Sequence, residues 1–349
     1  MRWSRSSSPR STAAACTSAR PTARRSPSTR CRTRGRPTRS APPTRSHAGS
    51  PFAAGARAFL REIRPMCLIA FDWQPDAAAG PVFTLAANRD EFFRRTSAPL
   101  SWWEDVPGVL AGRDLEAGGT WLGVSRDGRF AALTNYRAPF DIRAGAPTRG
   151  KLVSDFLGGP GVAPLDYLGA LAEHAAVYNG FNLLVGDWKR RELAWFCNRA
   201  AEGESRVAAP MAVGAGVHAL SNARLDTPWP KVVRKRAELG TLLTDNATPS
   251  LDELIDLLRD PRVADDDALP HTGIPLERER ALSAAFIETP EYGTRGTTAL
   301  RVTMKEGVRL TVDIKERCDD DGSHRTVRPG TFERAFTFDI DATPPRAVR

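Results

Sequence analysis

No run of eighteen apolar residues occurs anywhere in the 349-residue chain, so no membrane-crossing helix is expected. No two cysteines stand at CxxC spacing. The five, Cys16, Cys31, Cys67, Cys197 and Cys318, are widely scattered. That scatter suggests neither a zinc site nor a disulfide framework, and it fits a reducing compartment such as the cytoplasm. No GxGxxG and no P-loop is found, so the common nucleotide cradles are not expected. No repeat of 20–50 residues is present, which removes solenoids and propellers.

Lysine is missing from residues 1–65, and so is every acid except Glu62. That segment holds fifteen arginines and a charge of +14 inside a chain of net charge +9. Residues 66–349 therefore carry 35 basic and 40 acidic residues, a charge of −5. The high apparent pI belongs to the leading segment, and no nucleic-acid partner follows from it. Text rich in Ser, Thr, Ala, Pro and Arg buries too little apolar surface to offset chain entropy, so 1–65 is expected to be disordered. A mis-assigned start, a transit-like segment and a basic tail are the open readings. Residues 66–349 are expected to form one domain.

Apolar alternation and turn residues predict strands over 66–71, 82–87, 120–125, 130–135, 181–185, 192–196, 217–222, 296–304, 308–315 and 331–338. Asp127-Gly128 is a hairpin signal. The passage 99–107, with Trp102, Trp103, Glu104 and Asp105, reads as irregular. Helices are expected over 152–157, from Pro164 onwards, over 230–243 and over 250–258, the last with Ser250 and Glu253 as a capping box. Hairpin-paired strands with grouped helices predict an α+β fold of antiparallel sheets and helical layers.

Polar residues stand at the ends of these strands. Cys67 begins the first, Asn88, Arg89 and Asp90 end the second, Asn135 and Asn222 end later ones, and Arg295 opens another. His218, Leu220 and Asn222 share one face by alternation. If the strand ends converge, the set suits acyl transfer or amide hydrolysis. A thiol attacks as thiolate, and nearby cations such as Arg89 and Arg295 favour that form. A free α-amine on Cys67 titrates at about 7.7–8.0 and could take the thiol proton. Asp90 could hold Arg89 or orient the amine. The amides of Asn135 and Asn222 could stabilise an oxyanion. Each residue also has a structural reading: Cys67 as a small core hydrophobe, Arg89 and Asp90 as an ion pair, the asparagines as turn residues, His218 as a satisfied core histidine.

The motifs Met66-Cys67-Leu68-Ile69, Asn88-Arg89-Asp90-Glu91, Gly118-Gly119-Thr120-Trp121, Asn135-Tyr136-Arg137, His218-Ala219-Leu220-Ser221-Asn222 and Gly293-Thr294-Arg295 resemble the NRDE family, which includes the transport and Golgi organisation protein 2 group. That family in turn resembles N-terminal nucleophile hydrolases of the choloylglycine hydrolase and penicillin acylase type. The resemblance implies a four-layer αββα sandwich whose chain begins, once Met66 is removed, at Cys67 as nucleophile. It implies catalytic roles for Cys67, Arg89, Asp90, Asn135, Asn222 and Arg295, with Asn88, Trp121 and His218 as substrate contacts. No metal and no obligatory cofactor are implied. A small amide or acyl substrate is one expectation. Haem or an acyl lipid, bound without reaction, is the other.

Overall fold

Hydrophobic alternation places almost every strand of this chain between two layers. The computed structural model describes residues 67–318 and 332–341. The arginine-rich segment 1–65, Met66 and Thr331 lie outside the described residues. Strands β1 (Leu68–Trp73), β2 (Gly80–Phe92), β10 (Gly216–Leu220), β11 (Tyr292–Lys305), β12 (Arg309–Cys318) and β13 (Phe332–Asp341) form a six-stranded sheet in the order β10-β1-β2-β11-β12-β13. Strands β3 (Ser97–Trp102), β4 (Val109–Asp114), β5 (Leu122–Ser125), β6 (Arg129–Asn135), β7 (Phe181–Asp187), β8 (Glu192–Cys197) and β9 (Met211–Ala212) form a seven-stranded one in sequence order. All pairings are antiparallel.

The two-residue period sorts the side chains into layers. Ile69, Phe71 and Trp73 of β1 join Phe130 and Ala132 of β6 in one buried cluster between the sheets. The alternate residues Leu68 and Ala70 pack instead on Val232, Leu239, Leu254 and Ile255. Those four lie on helices α3 (Pro230–Asp245) and α4 (Leu251–Leu257). On the far side, Ala131 and Leu133 of β6 pack on Leu152, Phe156 and Leu168 of helices α1 (Gly150–Gly158) and α2 (Pro164–Ala172). The order of layers is helix, sheet, sheet, helix, the αββα sandwich of an α+β fold.

Local signals explain several elements. Ser250 and Glu253 exchange hydrogen bonds of 3.2 and 2.7 Å, closing the expected capping box of α4. Gly128 takes φ +98° in the β5–β6 turn, a conformation that suits glycine. Other expectations need correction. The second strand does not stop at residue 87 but runs to Phe92, because β11 pairs with it along its length. The passage 99–107 is not wholly irregular, since it begins inside β3. There a register shift between Ala98 and Ser101 accommodates Pro99 on the edge of its sheet. Strand β4 and helix α5 (Leu276–Leu282) were not expected.

Between the sheets, Phe130 is fully buried, with ring centroids 5.0 Å from Phe83 and 6.1 Å from Trp188. Phe130→Ala is expected to cost about 3–5 kcal/mol through lost burial and an unfilled cavity. Urea unfolding should show a lower midpoint with an unchanged slope.

Candidate active site

Toward one end of the sandwich the apolar filling gives way to charge. A cavity of about 370 Å³ opens there. Cys67, Arg89, Asp90 and Arg295 reach it from the six-stranded sheet, and Trp121, Leu133 and Asn135 from the seven-stranded one. The fold thus gathers five of the six residues expected to be catalytic, and one of the three expected contacts, Trp121.

Asn222 stands just behind the lining. Its Nδ2 donates to the Asn135 carbonyl at 2.9 Å, and its own carbonyl accepts from the Arg137 N–H at 2.7 Å. Ser221 beside it donates from Oγ to the Cys67 carbonyl at 3.2 Å and accepts at its carbonyl from Thr134 Oγ1 at 2.5 Å. Asn182 adds a 2.8 Å bond to the Ala223 carbonyl. These bonds join the segment after β10 to the ends of β6 and β7, so one sheet is tied to the other beside Cys67. An amide already donating within this stitch positions Asn135.

Asn88 and His218 do not line the cavity. Asn88 shares the face of Ala86 and turns toward the helices. Its amide donates to the carbonyls of Leu258 at 3.0 Å and Ala285 at 2.7 Å, and its oxygen accepts from Thr297 Oγ1 at 2.7 Å. A buried carboxamide satisfied on three sides serves the packing. His218 stacks on Phe71 with ring centroids 5.3 Å apart. Its Nδ1 lies 2.7 Å from Asp226 and its Nε2 3.0 Å from the Gly214 carbonyl. Hydrogen bonding to Asp226 raises its pKa.

The charges around Cys67 are densely compensated. Arg89 lies 3.8 Å from Glu91, and Glu91 lies 3.7 Å from Arg95. Arg95 reaches Asp114 at 2.6 Å. Arg295 donates to the carbonyls of Phe92 and Arg95. Glu316, also on the lining, accepts from the Leu100 N–H at 2.8 Å, and burial raises its pKa. Arg89 acts in the expected direction, toward the thiolate of Cys67, but it does not prevail. Burial first, and the Asp90 charge second, push the thiol up to about 12, outweighing the Asp90 N–H and Arg89. Asp90 is itself raised by burial, opposed most by Lys231, while burial lowers Lys231.

Sequence reasoning passed over Glu316, Arg95 and Arg149 on the lining and Lys231 behind it. Glu316 sits in Lys315-Glu316-Arg317, which reads as a solvated run. Its alternation with the core residues Val312 and Ile314 was the available signal. Among the described residues no cluster of three or more His, Cys, Asp or Glu could hold a metal ion, and no helix is long and apolar enough to cross a membrane.

Comparison with known proteins finds a family described as Transport and Golgi organisation 2, whose profile matches residues 66–316. A Homo sapiens Transport and Golgi organization protein 2 homolog is 34% identical over 282 residues, covering 76% of this chain and 99% of that protein. The Bos taurus homolog is 33% identical over 259 residues, covering 70% and 92%. Among solved structures, a Caenorhabditis elegans N-acylethanolamine-hydrolyzing acid amidase ortholog covers 67% of this chain and 92% of its own, at 9% identity and a TM-score of 0.37. That likeness is too slight to argue from.

The buried carboxyls Asp90, Glu91 and Glu316 all have raised pKa values. Each binds its proton more tightly folded than unfolded. The stability they contribute is full below the ordinary carboxyl range and is lost as pH rises through the raised values. Unfolding free energy is therefore expected to fall between about pH 5 and about pH 7.5, and Asp90→Asn to shrink that fall. Urea titrations of both proteins at the two pH values measure it.

Proposed function

The chain belongs to the Transport and Golgi organisation 2 family, and from that premise we propose that it is a cysteine amidohydrolase or acyltransferase acting on a small amide or acyl substrate. The observation that carries this reading is Cys67 on the lining of a cavity that Arg89, Asp90, Asn135 and Arg295 also line. A thioester forms when sulfur attacks the acyl carbon and the amine departs. Water or an acceptor amine then releases the acyl group. Asn135 is the candidate oxyanion donor, held by Asn222. Arg89 and Arg295 orient the polar part of the substrate. Where the chain begins at Cys67, the α-amine is a ready base. Where residue 66 is still attached, that nitrogen is an amide and takes no proton.

A second reading is favoured by the apolar part of the lining, to which Pro99, Trp121, Leu133 and Pro147 contribute. Such a wall could hold an acyl lipid, or haem, without reaction. The two readings part at the sulfur. Cys67→Ala is expected to slow hydrolysis of the best substrate in an N-acyl amide and thioester panel by a factor on the order of 10³ or more. The same variant should bind acyl chains as the wild type does. Unchanged turnover in Cys67→Ala would sink the enzyme reading. Saturable binding without turnover of any panel member would favour the carrier. Intact mass of the protein from its native cell tells which nitrogen Cys67 carries.

A further inference from the structure

The polar seam beside Cys67 belongs to one closed loop. The Asp226 N–H donates to the Ala219 carbonyl at 2.9 Å, and Asp226 Oδ1 accepts from the Ala219 N–H at 2.8 Å. Ser221, Asn222 and Ala223, which make the bonds of the seam, all lie between those two residues. Strand β10 is an edge of its sheet, and the closure takes up ladder groups that an edge leaves over. Asp226 reaches this place at φ +58°, in the left-handed region. A non-glycine residue persists there only when its surroundings hold it.

His218 supplies a hold. Its Nδ1 lies 2.7 Å from Asp226 Oδ2, and its Nε2 lies 3.0 Å from the Gly214 carbonyl. A carbonyl accepts only, and so does an ionised carboxylate. A neutral imidazole has one N–H, so its other nitrogen would aim a lone pair at an oxygen. Both contacts are hydrogen bonds only in the imidazolium. Burial works against the ionised form of Asp226, but bonds from His218 and from the Ala219 N–H hold its carboxyl below the ordinary range. We propose that His218, as an imidazolium, is the positioning residue that keeps this loop shut, and that loss of its proton loosens Cys67 and Asn135 together. This goes beyond the nucleophile reading, because the loop shapes the cavity whether the sulfur reacts or only lines it.

The surroundings of His218 set the direction. Strand β1 and helix α3 pack against β10. From β1, Phe71 stacks on the imidazole with ring centroids 5.3 Å apart, while Asp72 pairs with Val217 and accepts from Gln74. From α3, Arg236 lies 3.5 Å from Asp226 Oδ1 and opposes the charge on His218. The bond to Asp226 outweighs burial and Arg236, so His218 holds its proton more tightly with the loop shut. The hold is therefore full below the ordinary histidine value of about 6.5 and fades as pH rises through the raised one.

The test needs no substrate and uses the full-length chain. With nitrogen-labelled histidine, NMR reads the protonation of both ring nitrogens in each of the five histidines as pH is varied. Loss of a signal in His218→Gln, or displacement of one midpoint in Asp226→Asn, identifies His218. Its midpoint should lie above about 6.5 and fall toward that value in Asp226→Asn. Iodoacetamide labelling of Cys67, followed by peptide mass spectrometry, reads the loop. Below the midpoint, His218→Gln should label Cys67 on the order of tenfold faster than the wild type, the worth of one charge-assisted bond. Above it the two should converge. Cys197 and Cys318 should label alike in both proteins, which separates a local hold from general destabilisation. Should His218→Gln fold poorly, the wild type decides alone: an upward break in Cys67 labelling, referenced to the other two cysteines, should fall at the NMR midpoint. A His218 already neutral below about pH 6.5 overturns the imidazolium hold. Cys67 labelling that stays silent, or follows Cys197 and Cys318 through the midpoint, overturns the positioning role. Neither result touches the nucleophile reading, which turnover in Cys67→Ala decides.

Discussion

The stitch between the segment following β10 and the end of β6 is the constraint on which the site depends. A face-to-face pair of sheets is held along its length by non-directional burial, which tolerates sliding and splaying. At the open end that burial stops. There the Asn222 amide, the Ser221 and Ala223 carbonyls, Thr134 and Asn182 make bonds that are specific in direction and length. Ser221 also donates to the Cys67 carbonyl, so the first strand is fixed by the same device. Cys67 and Asn135 come from opposite sheets, and their separation is set by this polar seam. Apolar packing alone would leave it loose.

Beyond the seam the chain accepts a concentration of buried and half-buried charge that no core would choose. Arg89, Glu91, Arg95 and Asp114 form a relay of ion pairs, and Arg137 is buried against Glu279 while its guanidinium lies 4.5 Å from the Trp229 ring centroid. Burying such pairs contributes little net stability, because desolvation offsets most of the attraction. Their cost is tolerable where the cavity needs groups of fixed direction, which solvated side chains cannot supply. The exceptions inside this compensated region are informative. Asp90 Oδ2 and Lys231 Nζ are buried without hydrogen bonds.

Much of the architecture was legible from period-two alternation, because strands sandwiched between an apolar sheet and apolar helices alternate large and small core residues. The convergence of Cys67, Arg89, Asp90, Asn135 and Arg295 was a conditional expectation, since polar residues near strand ends suggest a shared edge without showing that they meet there. What misled was treating polarity as a marker of a strand's end. Asn88 to Glu91 remain inside β2, where a carboxamide meets helix-side carbonyls and a carboxylate meets a threonine of the neighbouring strand. His218 drew attention as a titratable group, yet Asp226 and the Gly214 carbonyl occupy both its nitrogens. Lys231, the last residue of the motif Asp226-Thr227-Pro228-Trp229-Pro230-Lys231, was given no role for the opposite reason. After Pro230 it reads as the exposed opening of a helix, and only the docking of α3 on β1 buries it.

A nucleophile that relies on its own α-amine binds catalysis to where a chain begins. A carboxyl supplied by the adjacent strand does not. In this fold the two are not exclusive, because Asp90 and Cys67 both line the cavity. With the amine blocked, burial holds the thiol in its protonated form. The energetic problem is then the same in both states: a proton must leave sulfur in a place where charge is poorly solvated. A group that takes a proton in such a place is one whose own burial has raised its affinity for protons.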